Sequence, residues 1–251
     1  MSSASAQQVH SADQATGEYK DLLIRLLTRQ LLAESATLEV FGKAVDLAPT
    51  FDEKLTSARF AWEEGEHTRV LINVLKELGV DGQAIVANRQ SAEEFWGVEL
   101  KDWVTLAAFN FLVDRGGSHQ IEEYLRSSYR PWAKHLYRML SEEVAHYENG
   151  IQNIQDFAAA GTQLNEFQEV VDKLLPVLVK RAFGRLDSKE NAQAITFGLK
   201  HNTTETITNN YLNEIKAPLA EAGLRFPSLA AFDAVGTELA ASSREVVLSL
   251  Q

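Results

Sequence analysis

Residues 62–67 read Trp-Glu-Glu-Gly-Glu-His, and residues 142–146 read Glu-Glu-Val-Ala-His. Each stretch holds a glutamate followed three positions later by a histidine: Glu64 with His67, and Glu143 with His146. On an α-helix, positions i and i+3 share a face about 5–6 Å apart. A carboxylate and an imidazole at that spacing can grip one metal ion or reach two. The chain has no cysteine, which excludes disulfides, thiolate zinc sites, iron–sulfur clusters and cysteine nucleophiles. The donors left are oxygen and nitrogen, a mixed set that suits iron or manganese.

The motifs fall within long runs of helical apolar periodicity, and alternation of period two is scarce. Leu23, Leu26, Leu27, Leu31, Leu38 and Phe41 form one face of a first helix, from about Tyr19 to Val45. Leu47-Ala48-Pro49-Thr50 breaks it. Thr50 or Asp52 caps a second helix, which Gly79 stops. A third helix is expected from near Asp102 to Ser127 or Ser128, and Arg130-Pro131 opens a fourth that ends near Gly161. Two or three more helices fill 164–184, 188–215 and the C-terminal tail. Two short turns separated by a long crossover (79–102) predict two antiparallel helix hairpins. The expected fold is therefore all-α: a ferritin-like four-helix bundle with additional C-terminal helices. Residues 1–17 are read as a disordered tail and 18–251 as a single domain.

An antiparallel hairpin brings residues equally far from its turn to the same height. Glu64 reflected through Pro49 lands on Glu34, and Glu143 reflected through the turn near Tyr129 lands within about a residue of Asp114. Both partners sit in apolar surroundings, where an uncompensated carboxylate is costly. The candidate ligands are thus Glu34, Glu64, His67, Asp114, Glu143 and His146, one carboxylate from each of two helices and a Glu-x-x-His pair from each of the others. So sparse a set leaves coordination positions open for O₂ at two iron ions, or manganese at one or both. With no iron–sulfur relay and no G-x-G-x-x-G fingerprint, electrons must come from an external reductase or from the small-molecule substrate itself.

Neighbouring groups carry alternatives. Glu63 and Glu142 are either carboxylates that accept the second ring proton of a ligand histidine or solvated groups. Glu66, Glu122 and Glu123 are read as solvated, Trp62 as core, and His119 and His135 as structural or surface residues. His10 and His201 carry no constellation. A net charge of −11 argues against nucleic-acid and anionic-membrane binding. No apolar run approaches the roughly 20 residues of a membrane span, and residues 1–17 do not read as a signal peptide, so a cytoplasmic protein is expected.

The motifs also resemble a known family. Leu-Ile-Arg ending at Arg25, Glu-Glu-Gly-Glu-His at 63–67, Leu-Val-Asp at 112–114, Arg-Ser-Ser-Tyr-Arg-Pro-Trp-Ala at 126–133 and Glu-Glu-Val-Ala-His at 142–146 are similar to the catalytic subunit of phenylacetyl-CoA epoxidase. The stretches 183–192 and 217–227 continue the likeness. The resemblance implies a di-iron monooxygenase that inserts oxygen into a CoA-linked aromatic ring, with the same six ligands. It also implies partner subunits or a homo-oligomer, and Arg25 as an anion contact for the substrate or, alternatively, an ion-pairing surface residue. Two positions depart from the pattern: Phe60 replaces a lysine, and Glu63-Glu64 replaces Asp-Glu. The rival functions are a ferritin-type ferroxidase and a non-catalytic scaffold subunit.

Overall fold

The computed structural model describes residues 7–251 and is all-α. Its helices are α1 (Gly17–Leu47), α2 (Phe51–Glu77), α3 (Gly82–Ala87), α4 (Ala92–Trp96), α5 (Trp103–Phe109), α6 (Arg115–Tyr124), α7 (Arg130–Ala133) and α8 (Leu136–Ala160). After these come α9 (Leu164–Phe183), α10 (Lys189–Thr196), α11 (Thr204–Glu221), α12 (Leu229–Ala234) and α13 (Ala241–Leu248). A π-helical turn, Asn110–Asp114, joins α5 to α6. The order of hairpin, crossover, hairpin and C-terminal helices is that of the ferritin-like class.

The chain divides into two compact units, each built from separate segments. The first takes residues up to Phe95, Ile121–Leu140 and Lys189–His201; the second takes Trp96–Gln120, Ser141–Ser188 and Asn202–Gln251.

In the first unit, α1 and α2 form an antiparallel hairpin. Thr50 starts α2 with a capping box: its side chain accepts from the Glu53 N–H at 3.2 Å, and Glu53 accepts from the Thr50 N–H at 2.9 Å. The Lys54 ammonium donates to the Val45 carbonyl at 2.8 Å, satisfying an orphan group at the end of α1. Gly79 terminates the α2 region with φ +86°, a left-handed geometry that favours glycine. Phe41 of α1 and Phe60 of α2 meet across the hairpin, their rings edge to face at 5.3 Å. The core holds Leu22, Leu23, Leu27, Leu31, Leu71 and Leu75, together with Tyr129, Trp132 and Leu136 from the returning segment.

Residues 1–6 of the expected tail lie outside the described residues. Within the rest of it, Val9 is buried and forms a bridge with Tyr129, donating to the Ser128 carbonyl at 2.8 Å and accepting from the Arg130 N–H at 2.9 Å. Three expectations are corrected. Trp62 is 66% exposed and not part of the core. The 188–215 stretch is two helices, because Gly198 takes φ +68° and breaks the run. Glu123 is buried, accepting from the His201 N–H at 3.0 Å, because the segment after Gly198 closes over α6.

The same segment buries Lys200, whose ammonium lies 5.1 Å from the centre of the Tyr124 ring. Burial pulls its pKa down to about 8, against the attraction of Glu123. The unfolded chain keeps that proton up to the ordinary lysine value, near 10.4. Between those pH values the unfolded state binds more protons, so stability rises with pH. The urea midpoint is expected to increase between pH 7.5 and 9.5, and Lys200→Met should remove most of that increase.

The second unit contains residues 96–120 and 141–160 of the other hairpin, with α9, α11, α12 and α13. Asp102 caps α5, accepting from the Thr105 N–H at 2.8 Å. Phe111 and Tyr147 stack at 5.6 Å. Gly150 of α8 lies so close to Phe111 that an added Cβ would fall 2.5 Å from its backbone nitrogen. Among the described residues, no helix is long and apolar enough to cross a membrane.

Candidate metal centre

Each unit holds its own buried group of two carboxylates and one imidazole. In the first, α1 supplies Glu34, and α2 supplies Glu64 and His67 from one face. Their ligand atoms lie within 4.8 Å of one another. The His67 Nδ1 is 3.2 Å from Glu34 Oε2 and 3.8 Å from Glu64 Oε2. All three side chains are withdrawn from solvent: Glu34 is 4%, Glu64 1% and His67 1% exposed. Burial alone would raise the Glu34 pKa. The hydrogen bond and charge of His67, with bonds from Glu64 and Gln30, outweigh it and hold the carboxyl below the usual range.

In the second unit, Asp114 closes the π-helical turn, and α8 supplies Glu143 and His146. Their ligand atoms again lie within 4.8 Å of one another, and all three residues are buried. The π geometry adds a residue to the turn and so re-aims the side chains beside it, which is why such turns accompany functional sites. Gly117 leaves the room the Glu143 carboxylate occupies, since a Cβ there would lie 2.9 Å from Glu143 Oε2.

The six residues named from sequence therefore fall into two matching triads. Two amides were missed. Gln30 Nε2 donates to Glu34, and Asn110 Nδ2 donates to Asp114, each from one helical turn earlier. Each amide helps fix the orientation of its carboxylate through one oxygen. The signal was present: Gln30 and Asn110 are 80 positions apart, the offset that also separates Glu34 from Asp114.

The remaining candidates lie outside the triads. Glu63 is partly buried and 3.6 Å from Arg59, and Glu142 is half-buried. Arg25 pairs with Glu190 at 3.1 Å, beside a second pair between Arg29 and Glu190. His119 is structural, 3.1 Å from Glu214. Phe60 is buried against Phe41, one helical turn before Glu64.

The sequence profile described as phenylacetic acid catabolic protein matches residues 1–238. The chain belongs to this family. Two curated relatives are more distant. Over 215 residues the chain is 20% identical to the A subunit of the 1,2-phenylacetyl-CoA epoxidase of Escherichia coli, covering 83% of this chain and 70% of that protein. Over 152 residues it is 26% identical to benzoyl-CoA oxygenase component B of Aromatoleum evansii, covering 55% of this chain. It thus spans about a third, 32%, of the length of component B. Membership of the phenylacetic acid catabolic protein family agrees with the resemblance read from the motifs.

Proposed function

We propose that the six residues of the two triads hold two metal ions, and that the protein is the O₂-activating component of an oxygenase acting on an aromatic acyl-CoA. The observation that carries this reading is the pair of equivalent buried sets, each with two carboxylates and one imidazole. Four carboxylates and two imidazoles fit two iron ions, and fit manganese as well; softer metals would want thiolates. Bound there, two irons would supply the O₂ activation and oxygen transfer that protein side chains cannot perform.

The chain's own residues have separate tasks. Glu34, Glu64, Asp114, Glu143, His67 and His146 would hold the ions, and Gln30 and Asn110 would orient two of the carboxylates. Phe41 and Phe60 form an apolar layer beside the first triad. They would exclude water and favour an aromatic ring over a charged group. Insertion of one oxygen atom from O₂ sends the other to water and consumes two electrons and two protons. Because the chain lacks cysteine, we assign those electrons to a separate reductase, and we infer partner subunits of the kind the words "component" and "subunit" in the relatives' names denote.

The test is metal analysis of the purified protein, then anaerobic reduction and exposure to O₂ with and without benzoyl-CoA or phenylacetyl-CoA. About two iron or manganese ions per chain are expected, with O₂ uptake coupled to an oxygenated thioester. A chain that holds no such ions sinks the proposal. Rapid mineral formation without any organic substrate would assign the centre to iron handling instead.

A further inference from the structure

Tyr211 lies on α11 and is fully buried. Its hydroxyl donates to the carbonyl of Leu112 at 3.0 Å, inside the π-helical turn that ends at Asp114. A π turn displaces a carbonyl from the regular i+4 ladder. Leu112 O accepts from the Arg115 N–H and from Tyr211. The phenol ring is clamped between Phe183, at 5.2 Å, and the edge-on His119, at 5.9 Å. One turn later on α11, Glu214 bonds Arg115 at 2.7 Å and His119 at 3.1 Å. One face of α11 therefore grips the chain on both sides of Asp114.

We propose that Tyr211 is a positioning residue: its hydroxyl locks the π-helical turn in the register that presents Asp114 to the metal. The role rests on Asp114 being a ligand. If the turn relaxed to regular α-helix, one residue would leave it, and side chains beyond would rotate by roughly 100° about the axis. Asp114 would then no longer lie with Glu143 and His146. Burial keeps the phenol protonated far into the alkaline range, so it remains a donor at every working pH. The C-terminal helices thereby acquire a task at the metal centre although none of their residues is a ligand.

The test uses Tyr211→Phe, which removes the donor and keeps the ring, against Phe183→Leu, which loosens the ring's packing and keeps the donor. Hydrogen exchange is measured on the metal-free full chain, followed by titration with cobalt(II). In Tyr211→Phe, amides of residues 110–118 are expected to exchange about tenfold faster. One cobalt equivalent should bind about tenfold more weakly while the other is unchanged. Phe183→Leu should leave both cobalt affinities and the 110–118 exchange pattern near wild type. Unchanged exchange and cobalt binding in Tyr211→Phe, or equal effects in the two variants, would reduce Tyr211 to a packing residue. A wild-type chain that takes up no cobalt overturns the metal reading of the triads, and this role with it.

Discussion

Gly150→Ala is expected to lower the unfolding free energy by about 3 kcal/mol and the melting temperature by roughly 10 °C. The added methyl would sit 2.5 Å from the Phe111 nitrogen and 2.6 Å from its Cα. Both are backbone atoms, so no side chain can rotate away, and the two helices must separate. Separation would expose the Phe111–Tyr147 stack, whose rings lie 5.6 Å apart, and disturb the turn that carries Asp114. The control is Gly42→Ala on α1, where a Cβ meets nothing within 4 Å. There the usual helix preference of alanine over glycine applies, and stability should rise by up to about 1 kcal/mol. Thermal denaturation of the two variants should thus give shifts of opposite sign. Equal shifts would mean that α8 does not approach Phe111 as described.

Glu64→Gln is expected to abolish metal loading without unfolding the metal-free chain. The change keeps the shape of the side chain and removes its charge. Glu34 and Glu64 both crowd the His67 imidazole in a buried space, so without a cation two carboxylates compete for one counter-group. Glutamine can donate to Glu34 without the proton that a Glu64 carboxyl needs for that bond, and the metal-free variant should be as stable as the wild type or up to about 1 kcal/mol more stable. Metal content should fall from about two ions per chain to none. His146→Ala should lose loading in the same way. Metal analysis and paired melts of metal-free protein check both halves. Normal loading in Glu64→Gln would remove Glu64 from the ligand set.

Much of this was legible in sequence because it depended on local or reflected spacing. The start of α2 could be read because Thr50 and Glu53 cap it within four residues, and its stop because Gly79 permits a left-handed φ. The triads could be read because equal distance from a turn sets equal height in a hairpin. What could not be read depended on contacts remote in the chain. Glu123 looked solvated on its own helix; it is buried by a segment some 78 positions later. Trp62 has an apolar side chain at a helical position, and spacing alone does not say which helix faces find a neighbour. The π-helical turn has no compositional signature, since its extra residue is retained by Tyr211, 99 positions from Leu112.

The interleaving of the two units has a consequence for synthesis on the ribosome. The first unit needs residues 189–201 to complete it, yet the second has begun at Trp96. The first cannot be completed until two of the second unit's three segments have been made. The α1–α2 hairpin can form early from local contacts, but its apolar face must wait for Tyr129, Trp132, Ala194 and Leu199 to arrive. Until then Leu22, Leu23, Leu71 and Leu75 stay open to other chains, and folding depends on distant contacts that close slowly. Nascent chains halted before residue 189 should therefore be more aggregation-prone and more protease-sensitive than the finished protein.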